Sequence, residues 1–122
     1  NVSMTRKQAT LTGLRDALRK FAAARDWQQF HTPKNLAMAL SVEAAELLEH
    51  FQWLTAEQSL RLNAASRRAV ADEIADVLLY LTRLADVLRI DPLEAARRKL
   101  RQNARKYPVS RARGNARKYS EL

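Results

Sequence analysis

The sequence predicts an all-α chain, a bundle of four to five helices completed by homo-oligomerisation, and three observations predict it. Only two glycines and three prolines stand among 122 residues, while Ala, Leu and Arg abound, a composition of strong helix formers. No alternating β-branched run is present, which removes the sheet alternative. The stretch Val77-Leu78-Leu79-Tyr80-Leu81 is apolar around the whole helical wheel, and such a helix needs cover on every side. A chain this short can hardly surround one of its own helices, so a second copy is expected to bury the rest.

The first helix is expected over Thr10 to Asp26, with Leu11, Leu14, Leu18 and Phe21 as its apolar stripe and Gly13 weakening its first turn. A connector, Trp27 to His31, leads to Thr32 as N-cap and Pro33 at the first helical position of a second helix reaching about Trp53. Thr55-Ala56-Glu57-Gln58 reads as a capping box for a short third helix. Asn63 or Ser66 opens a long fourth helix to about Arg89. Asp91-Pro92-Leu93-Glu94 opens the last helix, with Asp91 as cap and Glu94 placed to close the box; it fades near Lys106, before Tyr107-Pro108. The organisation expected is a disordered or cloning-derived N-terminus over 1–9, one helical catalytic domain over 10–108, and a basic, extended C-terminal arm over 109–122.

Charge is distributed unevenly. Residues 1–96 hold twelve basic and twelve acidic side chains, whereas residues 97–122 hold ten basic residues against Glu121 alone, so the net +9 lies in the last fifth. Such a segment suits a polyanion or the phosphates of a nucleotide. The absence of cysteine excludes a disulfide or thiolate framework. No apolar run reaches the ~20 residues of a membrane span, and no leader pattern is present, so a cytoplasmic protein without membrane contact is expected.

The chemistry lies in two acidic pairs. Glu43 and Glu46 stand three residues apart and interrupt the apolar stripe Leu36, Leu40, Leu47 of the second helix. Glu73 and Asp76 repeat the spacing in the fourth, among Ile74, Val77 and Leu78. Carboxylates facing a helical core are costly without a counter-charge, so the four read as ligands of a cation. Hard oxygen donors without His or Cys at ligand spacing point to Mg2+ and away from zinc. A Glu-x-x-His pattern would instead point to di-iron chemistry; His50, four residues after Glu46, is the one residue that could revive it.

A magnesium site with a basic segment and aromatics specifies a nucleoside triphosphate. Trp27, Phe30 and Trp53 are available to stack on a base. No Gly-rich phosphate loop is present, which excludes P-loop and Rossmann binders.

The two acidic pairs separated by 26 residues resemble the signature of the MazG-like, all-α nucleoside triphosphate pyrophosphohydrolases. Arg25 to Leu36, Phe51-Gln52-Trp53, Asp76 to Tyr80, Asn103 to Pro108 and Arg113 to Tyr119 are similar to the dCTP pyrophosphatase branch, so the likeness spans roughly residues 11–122. The resemblance implies hydrolysis between the α and β phosphates, converting dCTP or its 5-modified forms to dCMP and pyrophosphate in nucleotide-pool sanitation. It implies Glu43, Glu46, Glu73 and Asp76 as catalytic Mg2+ ligands, and Trp27 and Trp53 as walls of the base pocket. Tyr80, Lys99, Asn103 and Lys106 would contact phosphates or sugar. His31 falls in the same motif, where a hydrogen bond orienting the connector and a substrate contact both fit. The family further implies a homodimer or homotetramer with a shared active site. Some members carry a His where this chain has Leu18, which leaves backbone groups, Gln29 or His31 to read the base edge.

Three other readings stand beside this one, of which a purely structural helical interaction module would explain the oligomer but not the acids. A broad-specificity triphosphate pyrophosphohydrolase needs the same acids. A basic helical nucleic-acid-binding module accounts for the C-terminal charge, but four unmetallated acids would repel a polyanion, so nucleic acid is disfavoured as a partner.

Overall fold

A computed structural model describes residues 9–122; the expectation for the N-terminus therefore lies outside the described residues, apart from Ala9. The chain divides into two compact units, one reaching Arg89 and the other running from Ile90 to Leu122.

In the first unit, α1 covers Leu11–Ala24, a 3₁₀ turn Gln28–Phe30, α2 Pro33–Glu49, α3 Ala56–Ser59 and α4 Ala64–Val87. Each helix begins where a side-chain oxygen can accept a free first-turn N–H. Thr10 Oγ1 accepts from Gly13 at 3.0 Å, Thr32 Oγ1 from Asn35 at 3.2 Å and Asn63 Oδ1 from Ser66 at 2.8 Å. Asn63 is thus the cap of α4, and Ser66 lies within its first turn. Thr55 and Gln58 form both bonds of the capping box, at 3.1 and 2.9 Å. α2 stops at Glu49, short of the expected Trp53, because His50 and Phe51 bond back to Leu47 and Leu48 in three-residue turns.

Helix α1 closes without glycine. Asp26 takes φ +54°, its N–H reaches Ala23 O at 3.1 Å, and Trp27 N–H reaches Ala22 O at 2.9 Å. These are the paired bonds of a Schellman motif, which asks for an apolar contact between the residue after the left-handed one and the last turn. Trp27 supplies it by meeting Phe21 edge to face, with ring centroids 5.6 Å apart. Local backbone chemistry therefore sets where Trp27 stands.

α4 is the central element, packed chiefly against α2 and also against α1. Among the described residues the buried apolar side chains are few: Ala22, Leu36, Val70 and Ala85. Ile74, Leu78 and Leu81 of α4 remain exposed, as do Met38, Val42 and Leu48 of α2. Arg83, by contrast, is buried, and a buried guanidinium needs partners. Its Nη1 lies 3.3 Å from Asp86 Oδ2, and Asp86 in turn receives a two-pronged bond from Arg19 Nε and Nη2 of α1. Those cations hold the Asp86 carboxyl below the usual carboxylate range, Arg19 mainly through its hydrogen bond. The fork ties α1 to α4.

The second unit holds α5, Pro92–Lys106, then α6, Val109–Ala112, and a 3₁₀ turn Tyr119–Glu121. Asp91 Oδ1 caps α5, accepting from Leu93 and Glu94 at 3.0 and 3.1 Å. Glu94 faces Arg101 at 3.8 Å, so the cap rests on Asp91 without the return bond expected of a box. The residues after Pro108 are not extended throughout, a correction to the arm expected at 109–122. Pro108 adopts the extended backbone of an N-cap and starts α6, and Tyr119 folds back to meet Tyr107 edge to face at 6.2 Å. The Lys106 ammonium lies 4.7 Å from the Tyr119 ring centroid. Among the described residues, no helix is long and apolar enough to cross a membrane.

Candidate active site

Packing α2 on α4 brings the two acidic pairs face to face. Glu43 of α2 and Glu73 and Asp76 of α4 each offer a carboxylate oxygen, and these oxygens lie within 4.8 Å of one another. All three are half-buried. Glu46, one turn along α2, is not part of that three-oxygen set; its carboxyl stands close enough to Glu43 to disfavour the charged form of that group. Among the described residues no Lys or Arg pairs with any of the four, and the one nearby base is His50, whose Nε2 is 3.9 Å from Glu73 Oε1.

The electrostatic consequence is large. Glu43 is pushed up to about 7 from an ordinary 4.5, first by burial, then by the neighbouring carboxyl groups of Glu46, Asp76 and Glu73. Glu43 Oε2 and Glu73 Oε2 are buried side-chain oxygens with no hydrogen-bond partner. Two orphaned acceptors beside a crowded set of acids fit a hard divalent cation, whose charge and empty coordination positions answer both defects.

Beside the acids lies a cavity of about 160 Å3. Asp76 borders it and is thereby shared with the acidic cluster. Leu18, Phe21, Trp27, Leu79 and Tyr80 supply its apolar wall. Drug-sized ligands occupy pockets of ~300–1,000 Å3, so this one takes a single ring and leaves the rest of a ligand outside. On α4 the arrangement has a simple origin: Glu73, Asp76, Tyr80 and Arg83 fall at i, i+3, i+7 and i+10, one face of the helix.

His31, at the end of the connector, also borders the cavity. Its ring meets Trp27 edge to face at 6.2 Å, and its Nδ1 accepts from Arg83 Nε at 3.0 Å. Burial, and then the Arg83 charge, push the His31 imidazole below its ordinary value, so the ring is neutral at pH 7. The hydrogen bond orienting the connector, one of the two roles that fit His31, is therefore present. Gln29 does not line the cavity; its Nε2 donates to the Asp26 carbonyl and carboxylate at 3.0 and 3.1 Å. The bond between His31 and Arg83 escapes a reading of the sequence. The signal that could have found it is the continuation of the acidic face of α4 into Arg83.

Trp27, His31 and Tyr80 thus meet at one cavity that touches the acids, and Trp53 does not. Trp53 sits in the turn after α2 and is 86% exposed. Lys99, Asn103 and Lys106 belong to the second unit, where i, i+4, i+7 spacing puts them on one face of α5.

Comparison with known proteins places the chain in a family. The profile of the MazG-like family matches residues 38–122. Human dCTP pyrophosphatase 1 is 43% identical over 117 residues, covering 94% of this chain and 69% of its own length. The bovine dCTP pyrophosphatase 1 is 42% identical over the same spans. A pyrophosphatase of known structure from Archaeoglobus fulgidus superposes with a TM-score of 0.76 at 47% identity, covering 80% of this chain and 92% of that one. On these matches the chain belongs to the MazG-like family, on the branch whose curated members are dCTP pyrophosphatases.

Proposed function

We propose that the protein is a Mg2+-dependent nucleoside triphosphate pyrophosphohydrolase that prefers dCTP and its 5-modified forms. Water and dCTP would give dCMP, pyrophosphate and a proton. The observation carrying this reading is that Asp76 belongs at once to the acidic cluster and to the wall of a single-ring aromatic cavity. A base in that cavity would leave its triphosphate beside the carboxylates.

Glu43, Glu73 and Asp76 would hold the cation, with Glu46 next to Glu43 as a fourth acid. The chemistry a divalent cation supplies in such a site is neutralisation of phosphate charge and acidification of water. Trp27 and the aliphatic wall exclude water from one side of the base and give its π-face a partner. Tyr80 lines the cavity one turn along α4 from Asp76, where its hydroxyl could reach sugar or phosphate. Lys99, Asn103 and Lys106 form a basic face suited to phosphate oxygens. Trp53, exposed on its own chain, would complete the pocket of a second copy in a homodimer or homotetramer. The same contact would cover Ile74, Leu78 and Leu81 of α4.

The test is a panel of nucleoside triphosphates assayed for pyrophosphate release, with added Mg2+ and with chelator. Release from dCTP that vanishes on chelation, and that drops by orders of magnitude in a folded Asp76→Asn variant, is the expected result. Equal kcat/KM for purine triphosphates would leave only general triphosphate pyrophosphohydrolysis. Turnover that survives chelation and Asp76→Asn would refute the site.

A further inference from the structure

Arg83 is the one buried cation among the described residues, and neither the acids nor the triphosphate explains it. Its guanidinium divides its hydrogen bonds between two jobs. Nη1 faces Asp86 at 3.3 Å, and Nε donates to His31 Nδ1 at 3.0 Å. Arginine has no acceptor and does not lose its proton, so the atom it meets on His31 must carry a lone pair. A neutral imidazole has one lone pair and one N–H, and the hydrogen bond made by one nitrogen decides the state of the other. With Nδ1 taken as acceptor, the remaining proton resides on Nε2. Double protonation would place N–H against N–H, and burial beside a cation already disfavours it.

Nε2 has no protein partner among the described residues, and it is not one of the two sealed, unpaired side-chain atoms, Glu43 Oε2 and Glu73 Oε2. It is therefore accessible, on a ring that borders the cavity. Of the other lining residues, Leu18, Phe21, Ala22 and Leu79 offer no polar side-chain atom, whereas Trp27, Asp76, Tyr80 and Arg83 do. Asp76 belongs to the acidic cluster, two of the Arg83 nitrogens already donate to His31 and Asp86, and Gln29 is engaged with Asp26 elsewhere. The Arg83 side chain is itself fixed, because Asp86 is anchored from α1 by the Arg19 fork. A chain of bonds thus runs from Arg19 through Asp86 and Arg83 to one ring in the cavity wall.

We infer that Arg83 is a positioning residue that locks His31 as an Nε2–H donor at the cavity, so that His31 reads a hydrogen-bond acceptor on the edge of the bound base. The inference rests on the reading of the cavity as a base pocket. Its selectivity comes from the tautomer: an N–H pairs with a ring nitrogen or carbonyl oxygen, and is left unpaired by a ring of the same shape without one. A buried polar group left unpaired is what makes hydrogen-bonding sites reject such analogues.

The test has two arms. In the first, protein labelled with 15N at histidine is observed at pH 7 by long-range proton–nitrogen correlation; with two histidines in the chain, His50→Gln identifies the His31 signals. His31 is expected as the neutral Nε2–H form, with Nδ1 unprotonated, and Arg83→Met should convert it to a mixture of tautomers. In the second, kcat/KM for dCTP is compared with that for the difluorotoluene deoxynucleoside triphosphate, which keeps a pyrimidine's shape without a strong acceptor. Arg83→Met and His31→Phe should each lower dCTP turnover about tenfold through KM, the size of one neutral hydrogen bond. The ratio of dCTP to apolar analogue should fall in each, and the double variant should lose no more than either single one. If Arg83→Met does not fold, Arg83→Lys keeps a cation for Asp86 but has no Nε–H, and should give the same two results. A His31 found as Nδ1–H, or a ratio of dCTP to analogue that neither substitution at 83 alters, would overturn the inference. Failure of every triphosphate to turn over would instead strike the base-pocket reading, because the nuclear resonance arm does not depend on activity.

Discussion

Glu43→Gln should make the metal-free protein more stable above neutral pH and remove most of its dependence on pH between about 4.5 and 7. The Glu43 carboxyl titrates at about 7 in the folded chain against an ordinary 4.5. Folding therefore takes up a proton in that window. The folded state binds more protons than the unfolded one, so stability falls as pH rises. Below about 4.5 the group is neutral in both states and contributes nothing; above about 7 it is charged in both, and the full penalty is present. At ~1.4 kcal/mol per pH unit the penalty is at most about 3.5 kcal/mol, an upper limit because the carboxyl is only half-buried. The assay is urea unfolding followed by circular dichroism, in chelator, at pH 5 and pH 8, for wild type and Glu43→Gln. Wild type should lose stability between the two values, the variant much less, and the curves should converge at pH 5. Excess Mg2+ should restore wild type at pH 8 and leave the variant largely unmoved, since cation binding and proton binding compete for the same oxygens. Coincident wild-type and variant stability at pH 8 in chelator would refute the claim that these carboxylates crowd one another.

The same geometry sets three further outcomes. Trp53→Ala, at an exposed ring outside its own chain's cavity, should raise KM for every base alike in steady-state assays while leaving the ratio between bases unchanged. Asp26→Gly should stabilise the fold by roughly 0.5 kcal/mol in thermal unfolding, because φ +54° costs an L residue more than glycine. Replacing exposed Leu78 and Leu81 of α4 together by Glu should leave helix content intact and shift the protein to monomer in sedimentation, with loss of turnover where a second chain contributes Trp53.

Helix caps are local chemistry, and the sequence by itself determined most of them. Thr32 and Asp91 were legible as caps, Asn63 as one of two candidates, and Thr55 with Gln58 as a box closed within one turn, whereas Thr10 reads as the first helical residue and caps the helix instead. The acidic pairs were legible for the same reason. A spacing of three residues puts two carboxylates on one helical face whatever the helix packs against, and two such faces interrupting apolar stripes imply that they meet. What spacing could not give is which oxygens converge. That depends on how α2 crosses α4, and the crossing gathers Glu43, Glu73 and Asp76 while leaving Glu46 beside them. The end of α1 was hidden too, because its left-handed residue is Asp26 where the usual signal is glycine. The same holds for His31, 52 residues from Arg83 in the chain. No local pattern binds a connector histidine to a buried arginine on α4. Only the tertiary structure decided that pairing, by anchoring α1 to α4 through Arg19 and Asp86 and so leaving Arg83 Nε one place to donate.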